Sequence, residues 1–138
     1  MASRDINDLD QRLQVIAHNF LAHCRNAGLN VFLDCTYRSA SEQDALYAQG
    51  RTAPGPIVTH AKGGESAHNY EKNGAPAARA FDIAIYDEDG VILDWNAQDM
   101  NWRMAHEIGR NLGLVLGADW PAPLTDDPHF EMANWKTA

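Results

Sequence analysis

The chain has 138 residues, 45% of them hydrophobic and 22% charged, with a formal net charge of −8 at pH 7. That length suits one domain with one hydrophobic core, and four Trp, four Tyr and four Phe residues argue against disorder. The acidic balance excludes nucleic acid and anionic membrane surfaces as main partners, because such binding needs Lys and Arg. No apolar run approaches the ~20 residues of a membrane span, so we expect no membrane insertion.

The first third of the chain predicts helix, strand and helix. A helix from about residue 7 to 27, stopped by Gly28, is indicated by apolar residues at helical spacing, namely Leu9, Leu13, Ile16, Phe20 and Cys24. A buried strand is predicted from Val31 to about Thr36. Ser39 and Glu42 match a capping box, which predicts a short helix at about 40 to 49.

A long loop and a two-faced strand follow. Residues 51 to 66 are rich in Pro and Gly, and loops longer than ~12 residues are often functional. Phe81, Ile83 and Ile85 alternate with Asp82 and Ala84, as in a strand with one buried face. After a turn at residues 87–90, residues 91–93 are predicted to pair back as a hairpin.

The last third predicts a helix at about 98 to 112, a short strand at 114–116, a Pro-rich loop at 117–128 and an extended segment at 129–132. The predicted fold class is therefore α+β. Two main helices and one short helix would pack on a small, mostly antiparallel sheet, in one domain spanning residues 1–138.

Six histidines are candidates for chemistry. Those on the predicted helices, His18, His23 and His106, are expected to be exposed or structural. His60 lies in the Gly-rich loop and is expected to be a plain loop residue, with contact to substrate as the alternative. His68 and His129 each lie where a loop meets a strand, with carboxylates nearby. Two imidazoles and one carboxylate with an open fourth position are typical of a catalytic zinc site. Residue types alone leave zinc open, because fourteen positions separate His68 from Asp82.

Five motifs occur in order, from residues 37–43, 46–51, 58–70, 80–82 and 126–131. Together they resemble the L-alanyl-D-glutamate peptidases of bacteriophage, which are endolysins of the LAS superfamily. That superfamily also contains D-alanyl-D-alanine carboxypeptidases and dipeptidases. The resemblance spans about residues 5 to 132. It implies a hedgehog/D-Ala-D-Ala peptidase-like fold, bound zinc and the peptidoglycan stem peptide as substrate.

The resemblance also implies residue roles. His68, Asp82 and His129 would be the zinc ligands, and Asp126 would be the general base. Arg38 would clamp the scissile carbonyl oxygen or a substrate carboxylate, with a structural salt bridge as the alternative.

Two further positions match polar residues near the family's cleft. Ser66 and Gln43 would bind substrate, although Gln43 equally suits helix packing. Lys62 and Arg79 are candidates for positive groups in the cleft, with exposed solubilising charges as the alternative. Cys24 and Cys35 are expected to be reduced and buried.

The chain departs from the family pattern between the first two ligands. The family has seven positions from His to Asp and this chain has fourteen, so seven residues, Glu71–Ala77, are inserted. Their composition is typical of a turn. We expect a longer turn that projects from the rim of the cleft, and the alternative is a distorted site without metal.

The expected function is zinc-dependent hydrolysis of the L-alanyl-D-glutamate bond by a lysis enzyme. It would act as a monomer without a separate wall-binding domain. It would remain in the host cytoplasm until a holin releases it to the cell wall. The alternatives are a D-Ala-D-Ala carboxypeptidase or dipeptidase, or a zinc-stabilised wall-binding module without catalysis.

Overall fold

A computed structural model describes residues 1–138. The helices are α1 (Gln11–Asn26), α2 (Ala40–Ala48) and α3 (Met100–Asn111). The strands are β1 (Asn30–Cys35), β2 (Glu71–Lys72), β3 (Ala75–Pro76), β4 (Ala80–Tyr86), β5 (Leu93–Asp94), β6 (Val115–Leu116) and β7 (His129–Glu131). The predicted α+β class, with two main helices, one short helix and an antiparallel sheet, is confirmed. None of the helices has both the length and the apolar character needed to cross a membrane.

The main sheet has the order β1-β4-β7-β6, and β5 also pairs with β4. Every pair in it is antiparallel. The register between β4 and β7 places Asp82 directly opposite His129. A bulge between Leu33 and Cys35 lets Cys35 also face Asp82 from the other side. The sheet thus brings three potential ligand side chains to one end of β4.

One face of β4 carries the core. Phe81, Ile83 and Ile85 are fully buried, and Phe81 stacks on Phe130 with ring centroids 5.5 Å apart. The apolar faces of α1 and α3 supply the rest of this cluster. Because side chains alternate across a strand, Asp82 points to the opposite face. One face of β4 therefore packs in the hydrophobic core, and the other face carries Asp82.

The first helix begins later than its periodicity predicts. A 3-10 turn at Ile6–Asp8 precedes it, and α1 starts only at Gln11. The side chain of Asp10 accepts a hydrogen bond from the backbone N–H of Arg12, so this residue caps the helix. The predicted helix over 7–27 therefore splits at its first turn.

The seven inserted residues form a separate small hairpin, β2–β3. Asn73 and Gly74 have φ of 54° and 78°, as a two-residue type I′ turn requires. Ala77 N–H donates to the carbonyl of Tyr70 at 3.0 Å, which closes the base of the hairpin. None of the residues that line the main cleft belongs to it.

Candidate metal centre

Three side chains from distant parts of the sequence meet at one end of β4. His68 lies in a 3-10 turn, Ala67–Asn69, that ends the long loop, and His129 begins β7. His68 Nε2 and His129 Nδ1 each lie 3.2 Å from Asp82 Oδ1. The two nitrogens lie 3.2 Å from each other. The structure therefore brings all three predicted ligands into one triangle of atoms.

The outer contacts of the two imidazoles fix which nitrogens face the triangle. His68 Nδ1 lies 2.8 Å from the carbonyl oxygen of Thr36, which can only accept, so Nδ1 carries the proton. His129 Nε2 lies 2.8 Å from Glu131 Oε1 and donates to that carboxylate. In the neutral rings, the inner nitrogens are then both acceptors. Two nitrogen lone pairs and a carboxylate oxygen point at one another, an arrangement that calls for a cation between them.

The ionisation of the cluster shows the same demand for positive charge. Burial opposes the imidazolium form of His68, but the carboxylate of Asp82 outweighs it and raises the pKa of His68 to about 10. Burial likewise opposes protonation of His129, and its hydrogen bonds to Asp82 and Glu131 raise its pKa. Burial would raise the pKa of Asp82, but the two imidazoles hold it well below its usual range. The triangle therefore binds a proton when no metal ion is present.

The triangle has the dimensions of a zinc site. Zinc prefers tetrahedral coordination with nitrogen and oxygen ligands at about 2.0–2.1 Å, which places the ligand atoms about 3.3 Å apart. The three observed separations are 3.2 Å. The imidazoles are buried, whereas 19% of the Asp82 side chain remains exposed toward the cleft. The donor set, spacing and open side all fit a catalytic zinc ion.

Asp126 lies beside the triangle. One of its carboxylate oxygens lies within 4.8 Å of ligand atoms of Asp82 and His129. The residue is open to solvent from the cleft, but burial of its carboxyl group and the nearby charge of Asp82 raise its pKa. A raised pKa suits a group that accepts a proton near neutral pH.

Close packing fixes the turn that carries Asp126. The Asp126 N–H donates to the carbonyl of Gly117 at 2.9 Å, and the His129 N–H donates to the carbonyl of Asp126 at 3.1 Å. A Cβ atom on Gly117 would lie 2.9 Å from Asp126 Cβ and 3.0 Å from His129 Cβ. Only glycine fits there, so the absence of a side chain at Gly117 helps to set the distance between Asp126 and His129.

Arg38 borders the triangle on its other side and lines the cleft. Its Nη2 lies 4.0 Å from Asp82 Oδ2, and its Nη1 donates to Gln43 Oε1 at 2.9 Å. Gln43 is fully buried and also donates to the carbonyl of Ala61 at 2.9 Å. Gln43 was predicted to bind substrate, but the structure does not bring it to the cleft surface. Gln43 instead connects Arg38 to the long loop through its side-chain hydrogen bonds, which is closer to the alternative that Gln43 is a packing residue.

Ser66 lines the cleft, as expected for a substrate-binding residue. Its hydroxyl also accepts a hydrogen bond from the backbone N–H of His68 at 3.2 Å and caps the 3-10 turn. This contact orients the segment that presents His68. His106, taken as structural from the sequence, is buried, and its Nε2 donates to the carbonyl of Asp127 at 2.9 Å. It steadies the same turn that carries Asp126.

A cleft of about 840 Å³ opens over the triangle. Its walls come from the long loop around residues 57–61, the Pro-rich loop around residues 120–125, and the final segment with Trp135 and Lys136. The long loop thus lines the cleft, which agrees with the expectation that so long a loop contributes to a site. Lys62 and Arg79 do not line the cleft, and Arg79 is 5% exposed, so neither predicted reading of Arg79 is correct.

Sequence reasoning missed two neighbours of the predicted ligands, Cys35 and Glu131. Cys35 Sγ lies 3.8 Å from His68 Nδ1 and 3.5 Å from Arg38 Nη2, and it is a buried free thiol. No sequence signal marks this position, because the bulge in β1 places it. Glu131 could have been found, because it stands two residues after His129 and so shares a face of the predicted strand.

The fold and the site together define a class of protein. The sequence profile of the VanY D-alanyl-D-alanine carboxypeptidase family matches residues 6–110, a range that includes Arg38, His68 and Asp82. The chain belongs to this family, and it is a peptidase that acts on peptidoglycan rather than a non-catalytic wall-binding module.

One relative extends the similarity over nearly the whole chain. The peptidoglycan L-alanyl-D-glutamate endopeptidase CwlK of Bacillus subtilis (strain 168) is 38% identical over 133 residues. The alignment covers 91% of this chain and 74% of that protein.

Proposed function

We propose that the chain is a zinc-dependent endopeptidase that hydrolyses the L-alanyl-D-glutamate bond of the peptidoglycan stem peptide. The observation that carries the proposal is the triangle of acceptor atoms, His68 Nε2, Asp82 Oδ1 and His129 Nδ1, with Asp126 beside it. The choice of bond is supported by the similarity to the L-alanyl-D-glutamate endopeptidase of Bacillus subtilis.

The residues divide the work of amide hydrolysis. A zinc ion held by His68, Asp82 and His129 would polarise the scissile carbonyl and lower the pKa of a water molecule. Asp126 accepts a proton from the attacking water and returns it to the leaving amine nitrogen. Arg38 lines the cleft and carries the positive charge that stabilises negative charge developing on the carbonyl oxygen.

The contacts around the ligands keep this arrangement ready. Thr36 and Glu131 fix the imidazole tautomers, so both inner nitrogens remain available as ligands. Gln43 holds the Arg38 guanidinium through its Nη1 and leaves the rest of the group close to Asp82. The site is therefore organised before substrate arrives.

The second candidate is removal of a terminal D-alanine, and the description of the matching family favours it. The similarity to the Bacillus subtilis endopeptidase, which covers 91% of the chain, favours the endopeptidase. Residues from two separate loops and the final segment line the cleft, whose volume of about 840 Å³ suits a peptide stem in either reaction.

Digestion of purified muropeptides, followed by mass spectrometry with and without a zinc chelator, separates the two. The endopeptidase produces a new N-terminal D-glutamate, and the chelator abolishes it. Release of free D-alanine without that product would instead establish the carboxypeptidase. Product formation that survives complete metal removal would contradict the zinc dependence.

We further propose that the enzyme serves bacteriophage lysis as a monomer, released to the wall by a holin. The sequence motifs shared with phage endolysins support this part. Co-expression with a holin in a Gram-negative host should lyse the culture, whereas expression of either protein alone should not. Intact cells on co-expression of an active enzyme would contradict it.

A further inference from the structure

The last segment of the chain forms part of the cleft wall. Trp135 and Lys136 line the same cavity as His129 and Asp126. Lys136 lies only seven residues after His129. No sequence motif marks this lysine, and the two cations predicted for the cleft, Lys62 and Arg79, do not line it.

A buried arginine anchors this segment. Arg79 Nη1 donates to the carbonyl oxygen of Trp135 at 2.6 Å, and Arg79 Nε donates to Asp10 Oδ2 at 3.3 Å. The guanidinium also lies 3.5 Å from the centroid of the Tyr70 ring. Trp135 itself packs against the hydrophobic core. The position of Lys136 at the cleft is therefore built by interior contacts.

A turn completes the anchor. Asn134 has φ of 54°, and its carbonyl accepts a hydrogen bond from the Thr137 N–H at 3.0 Å. The Lys136 Nζ lies 5.7 Å from the centroid of the Trp135 ring. These contacts bracket the lysine on both sides and limit how far its backbone can move from the cleft.

The charges of the cleft leave this lysine uncommitted. The cleft holds two permanent cations, Arg38 and Lys136, and Arg38 is already bound to Gln43 and lies near Asp82. Lys136 forms no ion pair with any carboxylate of the chain. Arg38 is assigned to the scissile carbonyl oxygen, so Lys136 is the permanent cation of the cleft that remains for a second anionic group of the substrate.

The substrate supplies a matching group. In the proposed bond, D-glutamate contributes its amino group, so its α-carboxylate is attached one carbon from the scissile nitrogen when it is not amidated. A carboxylate entering a protein of net charge −8 is repelled at long range and needs a local cation.

We propose that Lys136 is a specificity-determining residue that binds this α-carboxylate, so that the enzyme prefers stem peptides with free D-glutamate over those with D-isoglutamine. This inference rests on the proposed function. The contact belongs to substrate binding rather than to the reacting atoms. It therefore acts on KM and leaves kcat nearly unchanged.

Two synthetic stem peptides that differ only in this carboxylate test the inference. The native chain, Lys136→Met, Lys136→Arg and the control Lys72→Met are compared on both peptides. Lys72 is an exposed lysine in the β2 strand outside the cleft, so it matches the charge change. A partly exposed ion pair predicts a KM about fivefold to tenfold lower for the free acid in the native chain.

The expected changes in KM require both Lys136 and the free α-carboxylate of the substrate. Lys136→Met raises KM for the free acid to the value of the amide and leaves KM for the amide unchanged, while Lys136→Arg and Lys72→Met keep the preference. Equal KM for both peptides in the native chain would overturn the inference while leaving the proposed function intact. An unchanged preference in Lys136→Met would do the same. Cleavage of neither peptide at this bond would overturn both.

Discussion

Two clusters of charged side chains lie on this fold, each around one largely buried carboxylate, and they differ in how their charges are satisfied. In the first, the carboxylate of Asp10 faces the guanidinium groups of Arg12 and Arg79, at 2.9 Å and 3.3 Å. In the second, the carboxylate of Asp82 faces two imidazole nitrogens whose protons lie on the outer side of each ring. The first cluster supplies its own donors, and the second lacks them.

The difference separates a structural ion pair from a binding site. Asp10, Arg12 and Arg79 link the start of α1, the residue before β4 and the last segment without any outside group. The acceptor atoms of the Asp82 triangle need an added cation between them, a proton or a metal ion, because like partial charges in a buried site repel. Unsatisfied acceptors that converge on one point are therefore a better sign of a metal site than burial or charge alone.

The largest effect should come from replacing Asp82, the proposed ligand whose Oδ1 contacts both imidazoles of the triangle. We expect Asp82→Ala to lose bound zinc on dialysis and to lower kcat/KM at least about a thousandfold, because the metal contributes several kcal/mol to the barrier. Metal analysis and muropeptide digestion measure both. A variant that kept full zinc content would show that the ligand set is wrong.

Removing the proposed base should separate metal binding from catalysis. Asp126→Asn is expected to keep its zinc and to lower kcat about 10²-fold to 10⁴-fold, the usual contribution of general acid–base catalysis. Asp127→Asn is the matched control, because Asp127 is adjacent in sequence and only its backbone carbonyl accepts a hydrogen bond, from His106. Equal activity of Asp126→Asn and the control would remove Asp126 from the mechanism.

Loss of the contact that orients His129 should have an intermediate effect. Glu131→Gln keeps the size of the side chain but weakens the acceptor for the Nε2 proton, which lies 2.8 Å away. We expect zinc affinity to fall about tenfold to a hundredfold, measured by competition with a chromogenic chelator. The exposed Glu88→Gln controls for the lost charge, and matching affinities in the two variants would assign Glu131 no role.

The ion pairs of Asp10 with Arg12 and Arg79 should weaken in acid, and with them the stability of the fold. The hydrogen bond from Arg12, outweighing burial, and the bond from Arg79 lower the pKa of Asp10 to about 2. A lowered pKa means that its stabilisation is complete above about pH 4 and is lost as the pH falls toward 2.

Replacing Asp10 measures that contribution directly. We expect Asp10→Asn to reduce the free energy of unfolding by about 1–2 kcal/mol at neutral pH, since Arg12 is largely exposed and screened. The difference from the native chain should shrink between pH 4 and pH 2, as followed by urea denaturation. A constant difference across that range would mean that the ion pair is not responsible.

Much of the fold was predictable because its signals are local. The spacing of Leu13, Phe20 and Trp102 predicts α1 and α3, and the alternation around Asp82 predicts β4 with its chemical face. The exceptions have local causes that compete with periodicity. The cap at Asp10 delays the first helix, and the side chain of Asp87 accepts from Val91 N–H at 3.1 Å, so only Leu93–Asp94 pairs back.

The candidate site was predictable only in part. The motifs identify His68, Asp82, His129 and Asp126, and the structure brings them together. What they cannot identify are residues whose place depends on tertiary packing. Cys35 reaches His68 through a strand bulge, Lys136 reaches the cleft through Arg79, and Gln43 turns inward.

The small β2–β3 hairpin bears on how such enzymes are found. Its base is closed by the bond from Ala77 to Tyr70, and the Arg79 N–H donates to the carbonyl of Ala67 at 2.9 Å. The strand bearing Asp82 is thus fastened beside His68 whatever length of chain runs between these bonds. A sequence pattern with a fixed number of residues between His68 and Asp82 would miss this chain, whereas a search for three acceptor atoms in a triangle would recover it.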